Sequence, residues 1–200
     1  MRLIGMLDSP YVRRTAISLR MMGFDFELNQ LSVFRNYDEF QAISPVVKAP
    51  SLVTDDGVVL MDSTLILEHA ERLAPSKSLM PTDAREHARV LHLIGFAMAA
   101  NEKTVQMVYE KMQRPAEKQH QPWLDRVSGQ LQRAHGVLEA ETPAGWFGGD
   151  KPNQADITAA VAWRFTQSRF PEVVASAAHP KLAAHSARAE KLPVFAEFNF

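Results

Sequence analysis

Val47-Lys48-Ala49-Pro50-Ser51-Leu52-Val53-Thr54-Asp55-Asp56-Gly57-Val58-Val59-Leu60-Met61-Asp62-Ser63 is the stretch whose reading decides the fold. Ser51–Thr54 and Val58–Met61 are short runs of β-branched and apolar residues, and Asp56-Gly57 between them favours the positive φ angles of a tight hairpin turn. Pro50 opens the first run, where a missing N–H is tolerated. A cis bond at that proline turns the Ala49 backbone outward. Asp62 or Ser63 caps the next helix, whose apolar positions continue through Leu65, Ile66, His69, Ala70 and Leu73.

The same stretch carries chemistry. A helix N-terminus with a serine hydroxyl and unpaired N–H groups attracts a carboxylate. An aspartate beside it takes an ammonium, and the Ala49 backbone pairs with an extended peptide as a sheet edge does. A small zwitterionic peptide satisfies all three. By spacing alone, the ordinary reading, a hairpin followed by a capped helix, is the favoured one.

Upstream, Arg2–Leu7 reads as a buried strand. Asp8-Ser9-Pro10 is a strand-to-helix turn, and helix one runs through Val12, Ala16, Ile17 and Leu19–Met22 to Gly23. Phe24–Leu31 alternates as a second strand, and Tyr37–Ile43 is a short helix stopped before Pro45. The order is βαβαββα, and a linker with Pro75 and Pro81 closes it. Everything beyond is helical: Asp83 to about Met112, Glu117–Glu141, Ala155–Ser168, Glu172–Ala178 and Lys181–Glu190. Asn153-x-x-Asp156 has the form of a capping box, which makes Asp156 a folding cap. The expected domains are residues 1–75, α/β, and 83–200, all-α.

Composition removes several function classes. Twenty-two Lys and Arg against 23 Asp and Glu leave a net charge of −1, without the basic excess of a nucleic-acid binder. No apolar run reaches membrane-span length, and the N-terminus lacks a cleavage pattern, so the expectation is a cytoplasmic chain beginning at Met1. With no cysteine, disulfides and a cysteine nucleophile are excluded. Seven histidines in no ligand spacing give no expected metal site. Arg13 and Arg14 read most simply as solvated charges on helix one, with one of them facing an anionic ligand as the alternative.

Over essentially its whole length the chain resembles the glutathione transferase family. The family's cis-proline signature, usually Gly-Lys-Val-Pro, is matched by Val47-Lys48-Ala49-Pro50, with valine where many members have glycine. Its acidic-serine pair before helix three is matched by Asp62-Ser63, and its Gly-rich loop and helix opening by the run from Gly148 to Ile157. Ser9-Pro10-Tyr11-Val12 stands where the related glutaredoxins and thioredoxins carry Cys-x-x-Cys. The resemblance implies a thioredoxin-like domain followed by a helical bundle, with glutathione as co-substrate and no metal. It implies glutathione contacts at Lys48, Ala49, Pro50, Asp62 and Ser63, and a thiolate supported by Ser9. Ser9 is otherwise a plain helix cap, with the Tyr11 phenol as the alternative partner of the sulfur.

The implied reaction is addition of glutathione to a small apolar electrophile, by conjugation, isomerisation or dehalogenation, in a detoxifying role. The alternative is a non-catalytic binding or protein-interaction module. A second-substrate pocket is expected from Tyr11, Ala100, Thr104, Met107, Val108, Trp163 and Gln167. A homodimer is expected through helix three and the long helix, with Glu68, Arg72, Arg85 and Arg89 pairing across the twofold axis.

Overall fold

In chain order the elements of the computed structural model, which describes all residues from Met1 to Phe200, are β1 (Arg2–Ile4), α1 (Pro10–Met21), β2 (Glu27–Asn29), α2 (Tyr37–Ile43), β3 (Ser51–Val53), β4 (Val59–Met61), α3 (Ser63–Leu73), α4 (Ala84–Val108), α5 (Gln121–Glu141), α6 (Gln154–Arg169), α7 (Pro180–Ala189) and α8 (Pro193–Glu197). Two compact units emerge. Met1–Met80 joins with Leu192–Phe200, and Pro81–Lys191 forms the other. The last nine residues thus pack with the α/β unit, although their sequence position follows the helical one.

The sheet of the first unit has the order β2-β1-β3-β4. β1 and β2 are parallel, as the intervening α1 requires, and β3 is antiparallel to both β1 and β4. The β3–β4 turn closes with Thr54 N donating to Val58 O at 2.9 Å, and Gly57 takes φ 85°. Each strand is only three residues long. β2 is shorter than its alternation suggests because Phe24 N still bonds to Leu19 O at the end of α1, and Leu31 N folds back on Asn29 O. Ile4, Leu31 and Phe40 form a buried cluster against which Val33, Ile43, Val47, Ala49 and Val53 pack.

In the second unit α4 opens on Asp83, whose side chain accepts from the amides of Arg85 and Glu86, and ends in a π-helical turn at Tyr109–Gln113. α5 begins at Gln121, later than the expected Glu117. A start at Glu117 would put Pro122 inside the helix, where its ring breaks the ladder; in the observed register it occupies the first turn. The expected helix over Glu172–Ala178 is absent. Only i→i+3 bonds form there, such as Val173 N to Phe170 O, and a single 3₁₀ turn covers Ser176–Ala178. α6 is buried on nearly every side.

That burial encloses polar groups. Thr104 Oγ1 lies 2.9 Å from Thr166 Oγ1, which is 3.0 Å from His135 Nε2. Burial, with His179 alongside, pushes the His135 imidazole from 6.5 down to about 3. Burial likewise pushes His185 down to about 4, with Arg188 adding to the effect and the Asp156 carbonyl opposing it. In the unfolded chain both rings take a proton near pH 6.5, and in the native state only below about 4. Between those values the unfolded state binds more protons, so stability falls as pH falls, by about 1.4 kcal/mol per pH unit for each ring. Asp156, which burial pushes above the usual carboxylate range, opposes this only at the acid end. The urea midpoint should therefore be flat above about pH 6.5 and fall steadily below it. In His135→Gln the acid slope should drop by about half; an unchanged slope would show that His135 is not the titrating group.

Candidate functional site

Three segments of the first unit, the start of α1, the Ala49-Pro50 loop and the start of α3, meet around the C-terminal end of β1. Gly5 ends that strand at φ 139°, and a Cβ there would lie 2.5 Å from Val12 Cγ2 and 3.0 Å from Ala49 Cβ. Only glycine lets the start of α1 and the Ala49-Pro50 loop approach so closely. The Ala49-Pro50 bond is cis. Lys48 Nζ reaches Asp62 Oδ2 at 3.0 Å, tying that loop to the start of α3. Arg14 Nη1 donates to Ser63 Oγ at 2.9 Å, tying α1 to the same helix end.

Ser9 is the N-cap of α1. Its Oγ accepts from Val12 N at a long 3.4 Å. That weak bond uses a lone pair and leaves the hydroxyl proton to be donated. Pro10 occupies the first turn, where it costs no helical hydrogen bond. Tyr11 is half-buried beside it, and its carbonyl accepts from Thr15 Oγ1 at 2.8 Å.

Asp62, not Ser63, is the N-cap of α3, with Oδ1 accepting from Thr64 N at 2.9 Å. Partial burial works to raise its carboxyl, but the Thr64 amide, the Lys48 ammonium and the Arg14 guanidinium outweigh it and hold it below the usual carboxylate range. Asp62 takes φ 73° and Val47 takes φ 52°. Both are in the left-handed region, which costs a non-glycine residue on the order of 1–3 kcal/mol.

Arg13 and Arg14 are not solvated. They are 0% and 1% exposed. α1 is covered on both flanks, so the two guanidiniums reach different partners. Arg13 Nε donates to Phe198 O at 2.9 Å and Nη2 to Phe195 O at 3.2 Å. Arg14 turns instead to Ser63 and, at 3.4 Å, to Thr64 Oγ1.

Of the expected second-substrate residues of the helical unit, Ala100, Thr104, Met107 and Trp163 lie in its core, and Val108 and Gln167 are half-buried. Ala100 is fully buried. Thr104 bonds to Ala100 O and Thr166, Met107 Sδ accepts from Ser128 Oγ, and the Trp163 ring packs edge-on to His135. Gln167 donates to Val174 O. The helical period places the four core residues inward between α4, α5 and α6. An open cavity of about 600 Å³ lies farther along α4, lined by Val105, Gln106, Tyr109, Glu110, Arg114 and Trp123, among others. The π turn places Tyr109 and Glu110 there, and Glu110 binds Arg114 Nε at 3.1 Å.

Asp156 makes the capping box with Asn153 and also accepts from Phe147 N at 2.8 Å and Gly148 N at 3.1 Å. His185 approaches its carboxylate at 3.5 Å, a pairing that no local spacing announces. No group of three or more His, Cys, Asp and Glu is arranged to hold a metal ion.

Residues 3–78 match the model of the glutathione S-transferase N-terminal domain, and residues 121–188 that of the C-terminal domain. The chain is 33% identical over 164 residues to the uncharacterized GST-like protein YibF of Escherichia coli, covering 81% of this chain and 80% of that protein. It is 26% identical to maleylacetoacetate isomerase of Mus musculus, over 72% of this chain and 68% of that enzyme. A crystal structure of a glutathione S-transferase from Methylobacterium radiotolerans in complex with glutathione sulfonate superposes with TM-score 0.91 at 28% identity, covering 98% of this chain and 92% of that one.

Proposed function

Since the chain belongs to the glutathione S-transferase family, we propose that it binds glutathione as the thiolate and adds it to a small hydrophobic electrophile. The observation that carries this reading is the convergence of α1, the cis-proline loop and the α3 N-terminus, through the Gly5–Ala49, Arg14–Ser63 and Lys48–Asp62 contacts. In the proposal Ala49 pairs with the peptide backbone of glutathione over Pro50. Asp62, held by Lys48 at 3.0 Å, takes the γ-glutamyl ammonium and Ser63 its carboxylate. The cysteine sulfur then meets Ser9.

The energetic demand matches what Ser9 offers. A free thiol ionises near pH 8.5, and lowering that by two units takes roughly 2.7 kcal/mol. A hydrogen bond to a charged group supplies roughly 1.5–3 kcal/mol, and a helix N-terminus roughly 0.3–1 more. Ser9 donates its proton to the sulfur and is not itself a nucleophile. Similarity to maleylacetoacetate isomerase supports addition followed by elimination as one form of the reaction. In that form the sulfur bonds to an alkene carbon as the π pair moves onto a conjugated carbonyl, the resulting single bond rotates, and the pair returns to re-form the alkene as the same C–S bond breaks and releases the thiolate.

The proposal includes a cytoplasmic enzyme acting as a homodimer. No helix is long and apolar enough to cross a membrane. The β4 edge and the adjoining helix expose Val59, Met61 and Leu65, an apolar surface of the kind a second copy covers. Equilibrium sedimentation should give twice the 22.4 kDa chain mass. Calorimetric titration with glutathione, followed by turnover of a chromogenic electrophile, tests the main reading. Binding with turnover is expected. Binding without turnover of any electrophile in a broad panel would mark a non-catalytic module, and no binding would overturn the reading.

A further inference from the structure

We infer that Arg14 is the specificity-determining residue for the carboxylate at the γ-glutamyl end of the ligand, acting from beneath the site by fixing the Ser63 hydroxyl as a donor. The inference rests on the glutathione reading above and adds a residue to it.

Arg14 is 1% exposed, and its Nη1 donates to Ser63 Oγ at 2.9 Å and to Thr64 Oγ1 at 3.4 Å. A guanidinium has donors only. Ser63 Oγ therefore accepts from Arg14, and its own proton must go to a different acceptor. Ser63 is the first residue of α3, where the leading N–H groups lack intrahelical partners and the helix dipole favours an anion. The Thr64 amide is already taken by Asp62 Oδ1. An acceptor placed at this helix end meets the Ser63 proton together with the remaining amides.

Charge gives the second, independent indication. Lys48 and Asp62 form an ion pair at 3.0 Å and cancel each other. Arg14 makes its bonds to two neutral hydroxyls and has no carboxylate in bonding contact, and its Nε is buried without a partner. Burial lowers the guanidinium to about 10, with Asp62 and Tyr11 only partly offsetting it. Asp62 is shared with Lys48 and compensates this buried cation only in part, and a buried cation short of its counter-ion is costly. A ligand carboxylate at the α3 N-terminus supplies that counter-ion, and a neutral group of the same shape does not. Selectivity for the acid over its amide follows.

The test is calorimetric titration of the wild type, Arg14→Met and Ser63→Ala with glutathione and with the analogue whose γ-glutamyl α-carboxylate is a carboxamide. The wild type should prefer glutathione by ten- to a hundredfold. Arg14→Met should lose that factor towards glutathione and bind the amide within about twofold of the wild type. Ser63→Ala, which removes the hydroxyl and leaves the guanidinium charge, should lose part of the discrimination, and the effects of the two changes should be less than additive because they share the Arg14–Ser63 bond. If Arg14→Met does not fold, Arg14→Lys, which keeps the charge but not the planar fork, should show reduced discrimination. Full wild-type discrimination in whichever variant folds, or a wild type that binds acid and amide equally, overturns the role of Arg14 and leaves the glutathione reading standing. A wild type that binds neither compound overturns the glutathione reading itself.

Discussion

Asp156→Ala is expected to lower the stability of the folded chain by about 4–6 kcal/mol. The carboxylate is 1% exposed and accepts three backbone amides: Phe147 at 2.8 Å, Gly148 at 3.1 Å and Asn153 at 2.8 Å. A hydrogen bond to a charged group is worth roughly 1.5–3 kcal/mol, and each buried donor left unpaired costs roughly 1–3. The three are not additive, since the loop relaxes once the first bond is lost. Against a typical total of about 5–15 kcal/mol, the variant should be largely unfolded at modest urea. Asp156→Asn keeps one oxygen acceptor and should fall between the two. Urea denaturation followed by tryptophan fluorescence reads the difference, and a loss below about 1 kcal/mol would mean that the Gly-rich loop does not depend on this side chain.

Arg13→Ala should cost about 3–5 kcal/mol, by a different route. The guanidinium bonds the carbonyls of Phe195 and Phe198 and lies 5.5 Å and 5.3 Å from the ring centres of Phe195 and Phe200. Its removal leaves two acceptors unpaired and a cavity beside α8. Release of Leu192–Phe200 should follow, seen as early proteolysis of the last nine residues. By contrast Arg20→Ala should cost under about 1 kcal/mol, because the Arg20–Glu197 pair is solvent-exposed. Equal effects of the two changes would contradict a buried clasp at Arg13.

The contrast between these arginines explains what the sequence made legible. The hairpin and α3 were readable because Asp56-Gly57 and Asp62-Ser63 are local signals that turn and cap chemistry impose within a few residues. The capping box at Asn153 and Asp156 was readable for the same reason. Arg13 and Arg14 were not, because a charged residue on a helix gives no local sign of burial. Their partners lie 185 and 49 residues away. The π turn at Tyr109 leaves no residue pattern of its own, so the cavity beside it was invisible, and the helical period of Thr104 and Met107 fitted both a core and a pocket wall. The packing buries both side chains.

The claim that Ser9 supports a glutathione thiolate is tested most directly by the ultraviolet absorbance of the bound thiolate, measured against pH in the wild type and in Ser9→Ala. In the wild type the bound thiol should titrate about two units below the free value of about 8.5. In Ser9→Ala it should return towards that value with glutathione affinity nearly intact. Turnover at neutral pH should fall roughly ten- to a hundredfold, a deficit that shrinks as pH rises. Identical titration curves in the two proteins would contradict the account, reducing Ser9 to a helix cap.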